Sequence, residues 1–333
     1  MLLTPAVLAL LVGSALLSLT MLLSSAVGLE IIRRWDPSSG SPAQLALERR
    51  TYLVSLAVSV VMAFELMSLL LLAHAGEDLH VLFSGAMCAA GTFNVNDYGY
   101  PALILKLANS LLCGVWLILN HADNQAPDYP LIRIKYTLLL PITLFVLMEA
   151  ALQLGFFRKM RPDLITSCCG ALFSEGSPSV AGAMAGLPSA FTQTVFYTST
   201  LLLARAGLRV LRTNRSAGFF SCLSLWLLVW SLVAVISFVS VHYYELPTHH
   251  CPFCLLQRDY GFVGYPMYIL LLTGSIAGAG VGAVERYGSA PSLRELTPSL
   301  QRSLVKTSLA GHLGFAALTL YPLLFSSFRL RGY

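Results

Sequence analysis

The chemically richest stretch of this 333-residue chain is His249-His250-Cys251-Pro252-Phe253-Cys254-Leu255-Leu256-Gln257-Arg258. Two cysteines separated by two residues can close a small disulfide ring or chelate a metal ion. An arginine, two histidines and the start of a helix nearby create a positive field that favours the thiolate, the form that attacks disulfides and binds soft metals. On a dithiol reading, Cys251 and Cys254 are a redox pair supported by Arg258. On a metal reading, His249, His250, Cys251 and Cys254 mix imidazole and thiolate donors suited to zinc or copper. Haem belongs to the same class, though no C-x-x-C-H run for covalent attachment is present. On a third reading the pair is a structural disulfide that clips its loop. Cys88 and the vicinal Cys168 and Cys169 are further candidate thiols, and spacing does not choose their pairing.

Three charges stand inside apolar runs: Glu65, Lys106 and Glu149. A lone charge in hydrocarbon costs at least about 2.5–3.5 kcal/mol on insertion scales, so these groups are expected to face a bundle interior and to pair, Lys106 with Glu65 or Glu149. Beneath a thiol or quinone site they could relay protons; otherwise they are a structural ion pair.

The elements that must position these residues follow from composition. Apolar residues make up 56% of the chain and charged ones 11%, against about 25% charged in soluble domains. Too few charges exist to coat a globule, and apolar runs long enough to cross about 30 Å of hydrocarbon recur. The expected fold is an all-α polytopic integral membrane protein with eight spans, over roughly 3–28, 51–74, 101–119, 136–157, 187–205, 218–241, 265–284 and 307–327. The fifth is the least apolar; its Ser, Thr and Gln would also suit a re-entrant segment. The first reads as a retained span, since it lacks the basic leader of a secretory signal. No intervening stretch can hold a separate core, so 1–333 reads as one membrane domain with 242–266 as its functional loop.

The net charge of +5 resembles a nucleic-acid signal until the basic residues are placed. Loops 29–50, 120–135, 205–217 and 285–306 hold fourteen of the 21 lysines and arginines, so they read as internal, and the lipid bilayer rather than nucleic acid is the partner implied. Both termini and loops 75–100, 158–186 and 242–264 are then expected outside. That side collects five of the seven cysteines and five of the seven histidines. If it is an oxidising space such as a periplasm, its thiols form disulfides, hold metal or exchange electrons, which points to a bacterial or archaeal cell membrane. Asp97-Tyr98-Gly99-Tyr100-Pro101 and Asp259-Tyr260-Gly261-Phe262-Val263-Gly264-Tyr265-Pro266 each follow an external cysteine and are expected to open an inward-running helix, with the prolines in the first turn.

The run Cys251-Pro252-Phe253-Cys254-Leu255-Leu256-Gln257-Arg258 resembles the first cysteine pair of the disulfide-bond formation protein B family, membrane proteins that oxidise partner thiols and reduce quinone. The resemblance covers about eight residues. It implies Cys251 and Cys254 as the redox pair, Arg258 beside a bound quinone, and an external thiol protein as partner; Tyr260 and Tyr265, at external helix ends, would either line the quinone pocket or anchor in the aromatic belt of the membrane interface. The chain departs from that family in having eight expected spans rather than four, and in scattering its other external cysteines over two loops. The alternatives are a copper- or zinc-binding transport protein and an accessory subunit of a larger membrane complex.

Overall fold

The computed structural model describes residues 4–36, 39–161, 165–166, 172–174, 177–288, 290–326 and 328. It is helical, with no strand among the described residues beyond an isolated bridge between Ser84 and Ile165. In chain order the helices are α1 (Pro5–Arg34), α2 (Pro42–Leu79), α3 (Ala89–Phe93), α4 (Gly99–Asn124), α5 (Ile132–Arg158), α6 (Val180–Ala185), α7 (Ser189–Thr213), α8 (Ala217–Ala234), α9 (Ser240–Tyr244), α10 (Gly264–Tyr287) and α11 (Leu296–Phe325). A π turn over Val235–Val239 joins α8 to α9 without breaking the rod.

Among the described residues, seven helices are both long and apolar enough to cross a membrane, the sixth-lying of the expected segments being Ala217–Tyr244 once α8, the π turn and α9 are taken together. The chain is therefore an all-α polytopic membrane protein. The remaining expected span is α7, a continuous 25-residue helix that reaches about 37 Å at 1.5 Å per residue. It is long enough to span but carries more hydroxyls and arginines than the other seven. Each helix overruns its apolar stretch by several residues, because hydropathy marks the lipid-contacting turns while the hydrogen-bond ladder continues to the next cap. In α1, for example, the helix opens on Pro5 and runs past the apolar stretch to Arg33 and Arg34, whose positive charges suit the carbonyl end of the helix. Large apolar side chains such as Leu16, Leu53, Val60, Ile104, Leu144 and Phe219 are exposed on the outer helix faces, as lipid contact requires.

The chain forms two compact units. The first comprises 1–72, 97–159 and 283–301; here α1 and α4 pack on α5, around Leu17, Met21, Val58, Met62, Trp116, Tyr136 and Leu139. Pro101 lies in the first turn of α4, as expected, where its missing N–H costs no helical bond. Near the other end of α4, Lys135 Nζ pairs with Asp123 at 2.8 Å and donates to Asn120 Oδ1 at 2.9 Å.

The second unit comprises 73–96, 160–282 and 302–333. It holds α7, α8, most of α10 and the later part of α11, and its helices approach closely through small residues. A Cβ at Gly278 would overlap the side chains of Ser224 and Ser308, the kind of small-residue contact that holds helices together where lipid removes the hydrophobic drive. His312 Nε2 lies 2.9 Å from Ser224 Oγ, so this histidine serves a helix contact. Pro266 lies in the first turn of α10.

Candidate metal centre and buried charges

Within the second unit, two loops converge on three sulfurs. Cys88, Cys251 and Cys254 are buried, and their Sγ atoms all lie within 4.8 Å of one another, a group that could hold a metal ion. Cys88 Sγ and Cys251 Sγ are 3.4 Å apart. For comparison, the ligand edge of a tetrahedral zinc site with about 2.3 Å Zn–S bonds is about 3.8 Å. His249 flanks the group, its Nε2 lying 3.3 Å from Cys254 Sγ. Burial pushes the His249 pKa below the ordinary histidine value, with Cys88 opposing and His250 reinforcing that shift. The imidazole is thereby kept neutral, the form that ligates metal.

Each sulfur is placed by identifiable contacts. Cys88 is the N-cap residue of α3, in extended conformation. Glu77, just beyond the apolar part of α2, grips both loops: its Oε2 accepts from Ala89 N at 2.9 Å and its Oε1 from Gln257 Nε2 at 2.7 Å. Gln257 Nε2 also donates to Met87 O at 2.9 Å. Thr92 Oγ1 donates to Gly76 O at 2.7 Å, and Phe93 packs on Phe253 with ring centroids 5.6 Å apart. The turn before Cys88 needs Gly85, whose φ is +89° and whose Cβ, if present, would meet the Thr166 carbonyl. On the other loop, Tyr244 Oη donates to Cys251 O and Tyr268 Oη to Pro252 O, both at 2.6 Å. The Tyr244 ring also meets His249 edge-on at 4.5 Å.

The expected site residues separate on this geometry. Cys251 and Cys254 are brought together, and Cys88 joins them, a convergence that spacing did not reveal. Cys168 and Cys169 lie outside the described residues. The cysteine pair does not open a long helix, because Cys254–Leu256 is a single 3-10 turn and α10 begins only at Gly264. The expected thiolate-favouring field of a helix start is therefore absent from this loop. Arg258 is exposed on the next 3-10 turn. The Tyr260 ring packs against Tyr244 with centroids 4.4 Å apart and planes tilted by 55°, and Tyr265 Oη lies 3.2 Å from His74 Nδ1. His250 is buried but points its Nδ1 at the Ile236 carbonyl, 2.8 Å away, and is not part of the close donor group. Of the residues that hold the site, Gln257 lay within the His249–Arg258 run without a role of its own and Tyr244 among the aromatic residues at helix ends, while Glu77 and Tyr268 carried no sequence signal.

The three intramembrane charges meet within the first unit. Lys106 Nζ lies 2.6 Å from Glu149 Oε1, 3.2 Å from both Glu65 oxygens and 2.8 Å from Ser68 Oγ. Ser68 Oγ lies 3.1 Å from Glu65 Oε2, and Asn109 Nδ2 donates to Glu149 Oε2 at 2.7 Å. All of these side chains are buried. The expected choice between Glu65 and Glu149 resolves as both, since three ammonium protons serve three partners.

No protein-family model, curated protein or solved structure matches this chain.

Proposed function

We propose that this membrane protein is a metal-binding protein whose centre is a thiolate site formed by Cys88, Cys251 and Cys254, with His249 as the fourth ligand. The observation that carries the reading is the burial of three sulfurs within 4.8 Å of one another. Charge selects the ion. Three thiolates with a divalent cation leave one net negative charge, whereas with Cu(I) they leave two, and buried charge is costly. Zinc is accordingly the metal of choice, and a neutral imidazole completes its tetrahedron without adding charge. A four-ligand closed site is of the structural type: it ties the Cys88 loop to the 245–263 loop and stabilises both.

A second reading is favoured by the 3.4 Å approach of Cys88 and Cys251. Side-chain rotation could bring them to the bond length of about 2.05 Å, giving a membrane dithiol centre that passes two electrons and two protons to a quinone, as the resemblance around Cys251 and Cys254 implies. An external thiol protein would then be the electron donor. Burial of all three sulfurs weighs against it, because the partner's thiolate has to reach a sulfur of the Cys88–Cys251 disulfide to reduce it.

The test is elemental analysis of the full chain purified in detergent without chelator, beside Cys88→Ser and Cys254→Ser variants. About one zinc per chain, lost in both variants, is the expected result. Metal-free protein in which mass spectrometry finds Cys88 joined to Cys251 overturns the metal reading in favour of the dithiol one.

A further inference from the structure

The later turns of α7 and the start of α8 enclose a cleft of about 380 Å³ in the second unit, bordered by Leu202, Arg205, Ala206, Arg209, Ser216 and Phe219. The local sequence builds it. Arg205 and Arg209 are four residues apart in α7, so both leave the same face of the helix. Asn214 and Ser216 adopt the left-handed backbone conformation, with φ of +51° and +70°, which asparagine tolerates better than serine does. These two residues turn the chain between α7 and α8. Ser216 directly precedes α8, and its hydroxyl makes no capping bond to that helix.

The cleft is accessible and its charge is unopposed. Arg205 and Arg209 are both exposed, and neither guanidinium has an ion-pair partner among the described residues. Like charges one helical turn apart repel, and among the described residues no carboxylate borders the cleft to relieve them. The sequence offers none nearby, since no Asp or Glu occurs between Glu175 and Glu245. The rest of the border is apolar: Leu202 and Phe219 are exposed, as are the neighbouring Leu201 and Leu208, in the manner of side chains that face lipid.

Two unpaired guanidiniums beside lipid-facing apolar side chains suit a ligand that joins a phosphate to hydrocarbon. We propose that this cleft binds the headgroup of an anionic glycerophospholipid without an amine, of the phosphatidylglycerol type: its phosphate oxygens accept from Arg205, Arg209 and the Ser216 hydroxyl, and its acyl chains run past Leu202 and Phe219. The planar fork of arginine matches phosphate oxygens in pairs, and basic pockets between membrane helices are a general means of holding such headgroups. Amine-bearing headgroups fit less well, because the ammonium of phosphatidylethanolamine or phosphatidylcholine would find no carboxylate in the cleft. The apolar border sets the guanidiniums where headgroups meet hydrocarbon, which makes the lipid rather than free phosphate the source of the group. The site shares no residue with the metal centre and is expected in metal-free protein as well.

The experiment places the full chain in nanodiscs of phosphatidylglycerol and phosphatidylcholine in equal amounts, releases it into detergent and counts retained lipid by native mass spectrometry. Two double variants decide it. Arg205→Gln with Arg209→Gln empties the cleft of cations; Arg212→Gln with Arg215→Gln removes the same charge from the same stretch of chain but not from the cleft border. All four arginines are exposed, and glutamine is as good a helix former as arginine, so both variants keep the fold. Wild type should retain phosphatidylglycerol in preference to phosphatidylcholine, and the first variant should lose about tenfold or more of that preference while the second keeps it. Equal retention of the two lipids by wild type, or equal loss in the two variants, overturns the proposal, the latter by showing only diffuse attraction to the bilayer. Inorganic phosphate titrated calorimetrically into protein in phosphatidylcholine nanodiscs is expected to give no saturable binding; saturable binding that disappears in the Arg205 and Arg209 variant assigns the cleft to a soluble anion and overturns the lipid assignment.

Discussion

Replacing Lys106 by methionine should unfold this protein far more readily than any surface change, and the sign of its rescue is the sharper test. The ammonium satisfies Glu149 at 2.6 Å, Glu65 at 3.2 Å and Ser68 at 2.8 Å, and neither it nor the carboxylates reach solvent. Lys106→Met keeps the length and apolar stem of the side chain but leaves two carboxylates facing each other across a site with no cation. Breaking a buried pair in this way costs about 3–5 kcal/mol. Replacing the whole triad with apolar residues of similar size, Lys106→Met with Glu65→Leu and Glu149→Leu, removes every buried charge together and is expected to be neutral or stabilising by about 1–4 kcal/mol. Unfolding in detergent, followed by circular dichroism, reads both. A single variant within about 1 kcal/mol of wild type, or a triple variant worse than the single one, would show that Lys106 and its partners are hydrated and that the triad is not the buried network described above.

Three further outcomes follow from the same contacts. Gln257→Ala removes the hydrogen bonds to Glu77 Oε1 and Met87 O, one of them to a charged group and so worth about 1.5–3 kcal/mol; amide exchange over 245–263 should accelerate, and unchanged exchange would show that Gln257 does not tie the loops. Tyr244→Phe deletes the donor to the Cys251 carbonyl and should weaken zinc about tenfold in competition with a chelating dye, whereas equal affinity would confine Tyr244 to packing. Gly278→Ala places a methyl group against Ser224 and Ser308 and should cost about 1–3 kcal/mol by overpacking, read as a lower melting temperature with zinc content retained.

What sequence could and could not reveal divides along the range of the signal. The apolar runs made the spans legible because lipid exposure is written residue by residue; α1, α4, α5 and α10 begin and end near the expected positions. Lys106 was legible for the same reason, since a charge in hydrocarbon has to find a partner, and two carboxylates lay at matching depth. α7 was the hardest helix to read because its apolar face alternates with hydroxyls and arginines. The cysteine cluster was half legible: the spacing of Cys251 and Cys254 marked one loop, but Cys88 is 163 residues away from Cys251 in the chain, and it is brought there by contacts such as the grip of Glu77 on Ala89 and Gln257 and the packing of Phe93 on Phe253. Arg258 attracted notice through its neighbours, yet the 3-10 turn that carries it turns the side chain to the surface, while the adjacent Gln257 points inward to bind Glu77 and Met87. A change of one position around a tight turn decides which of two polar neighbours holds the loop, and hydropathy periodicity does not resolve that.

X-ray absorption at the zinc edge, on full-length protein purified without chelator, tests the central claim most directly. Three sulfurs at about 2.3 Å and one nitrogen at about 2.0 Å, with the sulfur count falling in Cys88→Ser, is the predicted result. A shell of oxygen and nitrogen without sulfur, or protein that carries no metal at all, would contradict a thiolate centre built from Cys88, Cys251 and Cys254.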